Sequence, residues 1–247
     1  MIEFRNISKS FGSKHVLKDV SLTVDKGQIL FIVGLSGAGK SVLVKHLVGL
    51  LKPDTGQVLL DGVDITHLSE KAFYPVRKRC AMVFQHSTLF DSMSLIENVM
   101  LPLRKHKGMT HEEARVAAMG FLTRVQMQDK ADGFPSDIGD GLRKRVAIAR
   151  ALTLDPDFVI FDEPTTGLDP LAAANVDQLI RQLSDEQGVT SIVVSHDLRS
   201  IFTVADRIAM IYQGEILLDG TPHEFRSTDH GVVRQFIRGL AEGPMVL

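Results

Sequence analysis

The chain has 247 residues, 44% of them hydrophobic, one cysteine and a formal net charge of −2. That apolar content suffices for a buried core in one large domain or two small ones, while mixed-sign, near-neutral charge carries no broad basic footprint and argues against nucleic acid as a partner. The lone Cys80, inside the apolar run CAMVFQ, excludes an intramolecular disulfide and fits a reducing compartment such as the cytoplasm.

Met1 leads directly into the alternating pattern IEFRNI, which reads as a strand rather than a signal peptide. No run approaches the roughly 20 apolar residues of a membrane span, so a membrane role would have to pass through a partner. VSLTV and QILFIV predict further strands, punctuated by Gly12 and Gly27, and a helix is predicted from Lys40 to about Leu51. GQVLLDG and CAMVFQ predict two more strands with a short helix around Ser69 to Arg77 between them.

From Ser94 to Leu154 helical periods replace the strand signals, and Thr110 and Glu113 have capping-box spacing. The alternation then returns: strand FVIFDE, helix Leu171 to Glu186, strand VTSIVVS, helix Leu198 to Val204, and strands RIAMIY and EILLDG around a Gln213–Gly214 turn. Such an order predicts a parallel α/β sheet. A last helix is predicted after Thr221, with Pro222 at its first position and Glu224 completing a capping box. The expected organisation is one domain over 1–247. Its α/β core spans 1–89 and 155–220, a helical subdomain spans 90–154, and a C-terminal extension, ending in GPMVL, spans 221–247.

Gly34, Leu35, Ser36, Gly37, Ala38, Gly39, Lys40 and Ser41 spell G-x-x-x-x-G-K-[ST], directly after a predicted strand and at the opening of a helix. Glycines there let successive N–H groups wrap a phosphate, Lys40 adds a cation, and the Ser41 hydroxyl is a ligand for Mg²⁺. FVIFDEP ends a hydrophobic strand in two adjacent acids; Asp162 suits the metal, and Glu163 suits the task of deprotonating a water that attacks a γ-phosphate. His196 follows the strand SIVVS, so it emerges at the carboxyl edge where such sheets bind ligands, as a γ-phosphate sensor. Gln85 is a neutral candidate for Mg²⁺ or the attacking water.

Taken together, the Gly34–Ser41 loop, Gln85, the helix opening before RKRVAIARAL, FDEPTTGLD and VVSHD resemble, in order and spacing, the ATP-binding subunits of ABC transporters. The resemblance implies a P-loop NTPase fold of ABC type, with an N-terminal antiparallel β subdomain and an inserted helical subdomain. It implies ATP as substrate, Mg²⁺ as cofactor, and a head-to-tail dimer in which each ATP lies between one subunit's phosphate loop and the other's signature loop. In that resemblance Phe11 matches the aromatic that stacks on adenine, and Asp169 lies in the loop that speaks across the dimer.

A finer likeness, carried by VRKRCAMVFQHSTLFDSMSLIENVMLPLR and VVRQFIRGLAEGP, is to the Mla and Mce-type phospholipid-transport ATPases of bacteria. It implies an integral permease, MCE-domain and STAS-type accessory proteins, and a peripheral position on the inner face of the cell membrane. Val232, Val233, Phe236, Ile237 and Leu240 form one apolar helical face, suited either to a partner subunit or to the chain's own domain. Cargo is less constrained than the engine, and amino-acid import or drug export stay open.

The signature loop departs from the family's Leu-Ser-Gly-Gly-Gln. Here Ile138, Gly139, Asp140, Gly141 and Leu142 lack the hydroxyl that would donate to the opposite γ-phosphate and place a carboxylate at a helix start. Two like charges about 4 Å apart repel by ~4 kcal/mol at an effective dielectric of 20. The expectation is that Asp140 either caps the helix or pairs with Arg143, Lys144 or Arg145, leaving the Gly139 and Gly141 N–H groups to face the nucleotide. Slow hydrolysis is then expected, with a nucleotide-dependent dimerising clamp as the alternative to a transport engine.

Overall fold

The computed structural model describes residues 1–245, so Val246 and Leu247, the end of the expected extension, lie outside the described residues. Its strands are β1 (Ile2–Phe11), β2 (Lys14–Val24), β3 (Ile29–Val33), β4 (Thr55–Leu60), β5 (Val63–Asp64), β6 (Cys80–Val83), β7 (Phe158–Asp162), β8 (Thr190–Val194), β9 (Arg207–Tyr212) and β10 (Glu215–Gly220). The helices are α1 (Lys40–Leu47), α2 (Glu70–Arg79), α3 (Leu95–Lys107), α4 (His111–Arg124), α5 (Asp140–Leu152), α6 (Pro170–Gln187), α7 (Leu198–Val204), α8 (Pro222–Ser227) and α9 (Gly231–Arg238).

Two sheets form. One is antiparallel, in the order β2-β1-β4-β5, and the other runs β10-β9-β3-β8-β7-β6, parallel except for the edge strand β10. Every residue of β3, β7 and β8 is buried, as near-continuous apolar runs require when a parallel sheet is covered on both faces. The period-2 alternation of side chains divides these runs between two cores. Phe31, Phe161 and Val193 face the core shared with α3 to α7, while Leu30, Ile160 and Ile192 face the core shared with β1, β2 and α1. The helical segment therefore has no core of its own apart from the sheet's. Cys80 is buried in the second core, and burial pushes its thiol up to about 12, which removes it from thiolate chemistry.

The predicted capping boxes at Thr110–Glu113 and Thr221–Glu224 are present, and Ser94–Glu97 opens α3 in the same way. The Gln213–Gly214 turn has both residues at positive φ, 53° and 87°, the two-residue geometry whose twist suits a hairpin.

Three elements differ from expectation. The predicted helix to Leu51 ends at Leu47. There Gly49 takes φ 67° and the Gly49 and Leu50 N–H groups close onto the His46 and Lys45 carbonyls, a Schellman stop that an apolar Leu-Leu pair conceals. β2 begins at Lys14 rather than Val20, because Asp19 at φ 53° inserts a bulge that breaks the alternation. β5 is a two-residue strand too short to carry a period.

The segment following Gln85 is held by Asn98 of α3, which is fully buried. Its side chain accepts from the Phe90 N–H at 2.8 Å and donates to the Phe90, Met93 and Ser94 carbonyls at 3.0–3.2 Å. Asn98→Ala strands several buried backbone groups and is expected to cost about 2–3 kcal/mol, read as a lower urea midpoint at unchanged m-value.

Candidate functional site

At the carboxyl end of β3 the chain turns sharply at Gly34, Gly37 and Gly39, with φ of 144°, 77° and 103°, before α1 begins at Lys40. A Cβ at Gly34 would stand 2.3 Å from the Ile211 carbonyl oxygen and one at Gly39 would stand 2.7 Å from Leu17, so glycine is required at both by space and by backbone sign. No side chain caps α1, so its first N–H groups stay available to an anion. The buried Lys40 ammonium donates to the Gly34 and Leu35 carbonyls, both at 2.9 Å. Burial lowers its pKa, and the charges of Glu163 and Asp162 oppose that shift.

The Ser41 hydroxyl donates to Asp162 Oδ1 at 2.7 Å, bringing the start of α1 to the end of β7. Glu163 follows in a left-handed conformation, φ 53°, that L-residues adopt at a cost of about 1–2 kcal/mol. Its N–H donates to the Val194 carbonyl at 2.9 Å, and its carbonyl accepts from Lys144 Nζ at 2.8 Å. Its carboxylate accepts from the Thr166 hydroxyl at 2.9 Å, and His196 Nδ1 stands 2.9 Å from the same oxygen. The Glu163 side chain is 12% exposed and the His196 ring 60%, so the imidazole faces solvent while holding a nearly buried carboxylate.

The Gly34–Ser41 loop, Gln85, Glu163 and His196 line one cavity of about 520 Å³. The structure thus brings together the phosphate-loop residues, both acids, the histidine and the glutamine. Gln85 lies two residues beyond the end of β6, not within the strand. Phe11, 48% exposed, ends β1 under the Lys9 ammonium, 5.6 Å from its ring centre, and is not on that cavity's wall.

Gly139, Asp140, Gly141 and Asp169 gather elsewhere, around a separate surface hollow of about 390 Å³. The phosphate loop and the Gly139–Gly141 loop thus line different hollows, and a third, of about 400 Å³, is lined by Gln85 as well as by Asp140, Arg143, Lys144 and Thr166. Asp169 is the N-cap of α6, accepting from the Leu171 and Ala172 N–H groups at 2.9 Å. Of the two expectations for Asp140, pairing with Arg143 holds and capping of α5 does not: Gly139 is the N-cap, with no side-chain cap, and the nearby Asp137 accepts from the Phe134 N–H. Asp140 is the first helical residue, 71% exposed and paired with Arg143 at 3.3 Å. Arg143 also donates to the Pro135 carbonyl at 2.8 Å, which holds it beside the loop.

Residues that the sequence did not single out for these positions are Thr166 and Lys144, which hold Glu163 by side chain and backbone, and Phe236 and Gly239 of the C-terminal segment, which reach the rim of the phosphate cavity. Of the expected apolar face, Val232 and Val233 are buried in the chain's own core and Phe236 and Ile237 pack against it, whereas α9 ends at Arg238 with Gly239 left-handed, so Leu240 lies beyond the helix and is exposed.

A profile of the family described as "ABC transporter" matches residues 17–166. The chain is 38% identical over 244 residues to the probable ribonucleotide transport ATP-binding protein mkl of Mycobacterium tuberculosis H37Rv, covering 99% of this chain and 68% of that one. It is 36% identical over 245 residues to the intermembrane phospholipid transport system ATP-binding protein MlaF of Escherichia coli K12, covering 99% and 91%. Among solved structures it matches the dimeric bacterial ABC transporter cassette MJ0796 with TM-score 0.83 at 31% identity, covering 90% of this chain and 99% of that one. It also matches cbiO1 of Clostridium perfringens with TM-score 0.84 at 28% identity, covering 96% and 94%. These likenesses extend along nearly the whole length: the chain belongs to the ABC transporter family, as one of its ATP-binding ATPase subunits.

Proposed function

We propose that two copies of this chain enclose ATP between the phosphate loop of one and the Gly139–Gly141 loop of the other, and that hydrolysis there drives a membrane permease moving phospholipid or another lipid in a bacterial envelope. The observation that carries the reading is the separation of the half-sites: the Gly139–Gly141 loop at the start of α5 lines a different hollow from the one that the phosphate loop lines. Lipid as cargo is supported by the name and 91% coverage of the MlaF relative. No helix among the described residues is long and apolar enough to cross a membrane, so the chain would work from the cytoplasmic face through its permease, with MCE-domain and STAS-type proteins as further partners.

In this reading Lys40 exchanges the Gly34 and Leu35 carbonyls for the β- and γ-phosphates, while the loop N–H groups hold the β-phosphate. Ser41, Asp162 and Gln85 offer hydroxyl, carboxylate and amide oxygens, the hard donors that Mg²⁺ prefers, and the Ser41–Asp162 contact already sets two of them side by side. Bound there, Mg²⁺ would supply Lewis-acid charge that offsets the negative charge of the phosphates. Glu163 takes a proton from the water whose oxygen bonds to the γ-phosphorus as the bond to the β-phosphate oxygen breaks, giving ADP and phosphate. His196 fixes the Glu163 carboxylate and faces the departing γ-phosphate. Phe11, exposed at the end of β1, would meet the adenine.

Glu163→Gln removes the base and leaves the phosphate contacts, so turnover is expected to fall by about a hundredfold or more while ATP affinity is kept. That result, with Lys40→Ala losing affinity, supports the ATPase; turnover in Glu163→Gln equal to the native chain's would overturn it. The cargo is tested separately, by ATP-dependent phospholipid transfer between vesicles in the reconstituted permease complex.

A second reading, a clamp closed by ATP with vestigial hydrolysis, is favoured by Gly139 and Asp140 alone. Space exists to change both: Gly139 has φ −73° and nothing within 4 Å of a built Cβ. Gly139→Ser with Asp140→Gly supplies a donor and removes a like charge that Arg143 offsets only in part. Turnover is expected to rise about three- to tenfold by steady-state phosphate release. Serine as N-cap offsets the roughly 1 kcal/mol lost with glycine inside the helix, so the melting temperature should hardly move. Unchanged turnover in a chain that hydrolyses slowly favours the clamp.

A further inference from the structure

Lys40 and Lys144 are the two buried lysines among the described residues, and the family motif accounts for only the first. Lys144 is 3% exposed, four residues into α5, one turn beyond the Gly139–Gly141 loop. An ammonium is costly to bury, and here its hydrogen bond goes to the Glu163 backbone carbonyl at 2.8 Å. Burial lowers its pKa, opposed by the fields of Asp140, Glu163 and Asp162.

Glu163 is held at both ends of its backbone, by the Val194 carbonyl on its N–H and by Lys144 on its own carbonyl. Between these two points the residue sits at φ 53°, outside the broad wells, where a small backbone rotation swings the carboxylate away from Thr166 and His196. The α5 end of the link is equally constrained. Arg143 joins Asp140 to the Pro135 carbonyl, and the four-residue step from Asp140 to Lys144 is a rigid turn of about 6 Å.

We propose that Lys144 is a positioning residue that couples the two ATP sites of the dimer: engagement of one copy's Gly139–Gly141 loop by the second copy's triphosphate is passed through Lys144 to the backbone of Glu163 in the same chain as that loop, and aims the Glu163 carboxylate at the first copy's own site. The inference rests on the sandwich reading above. In each copy the loop then serves the opposite site and Glu163 serves its own, and Lys144, one turn along the helix that the loop opens, bonds the Glu163 carbonyl. Loading one site thereby readies the other for hydrolysis, and the native chain should hydrolyse ATP with a Hill coefficient above 1.

The test is Lys144→Met in the full chain, which keeps the apolar stem and deletes the donor. Turnover is expected to fall about tenfold, the half-saturating ATP concentration to stay within twofold, and the Hill coefficient to drop toward 1. Hydrogen exchange of the Glu163, Thr165 and Thr166 amides in the ATP-bound dimer should quicken about tenfold. Native turnover and cooperativity in this variant would overturn the proposal, and so would lost turnover with unchanged exchange at those amides, which would make Lys144 a packing residue. Should the variant fail to fold, Lys144→Gln, with a donor on a shorter arm, is read by the same measurements. Glu163→Gln measured alongside separates the failures: its retained turnover sinks the ATPase reading, whereas its loss beside a native-like Lys144→Met sinks the coupling alone.

Discussion

The Ser41–Asp162 hydrogen bond, 2.7 Å long, joins two loops that leave strands with a third between them: β3 and β7 flank β8. For these side chains to meet, the three strands must end at a common level and their loops must curl over the end of β8. The fully buried strands satisfy this, because period-2 alternation against a core on each face leaves no freedom to slip by one residue. The phosphate loop, the paired acids and the histidine after β8 are consequences of a register set by hydrophobic packing.

The charged groups gathered around the phosphate loop each have a partner. Lys40 answers two loop carbonyls and the field of two acids, Asp162 answers Ser41, Glu163 answers Thr166 and His196, and Lys144 answers the Glu163 carbonyl. The contacts of Lys40 and of Ser41 with Asp162 are ones that a triphosphate or a metal could replace with stronger ones. The same constellation both tolerates burial and stays poised to exchange partners.

Much of this was legible from the residues. Apolar runs such as ILFIV and FVIFD announce buried strands, and Lys-Ser after a glycine turn or Asp-Glu after a strand announce a phosphate and a metal, because few other uses fit those chemistries at those places. What escaped was set by tertiary geometry. Lys144 lies in a basic run, RKR, whose flanking arginines reach other partners, and nothing local marks the central cation as the one turned inward. Thr166 looks like an ordinary turn residue until the left-handed backbone at Glu163 folds it back. Asp140 reads as a cap by propensity, but the chain enters the helix one residue earlier, so an exposed ion pair took the place of a capping bond.

The C-terminal segment is more than an appendage. Val232 and Val233 anchor α9 in the same core that carries the sheet, and this fixes Phe236 and Gly239 at the rim of the cavity holding Lys40. The wall of that cavity is thus built in part from residues that follow every strand of both sheets along the chain. Until α9 docks on the core, the cavity lacks part of its wall, and its final shape waits on a helix far in sequence from the loop that holds Lys40.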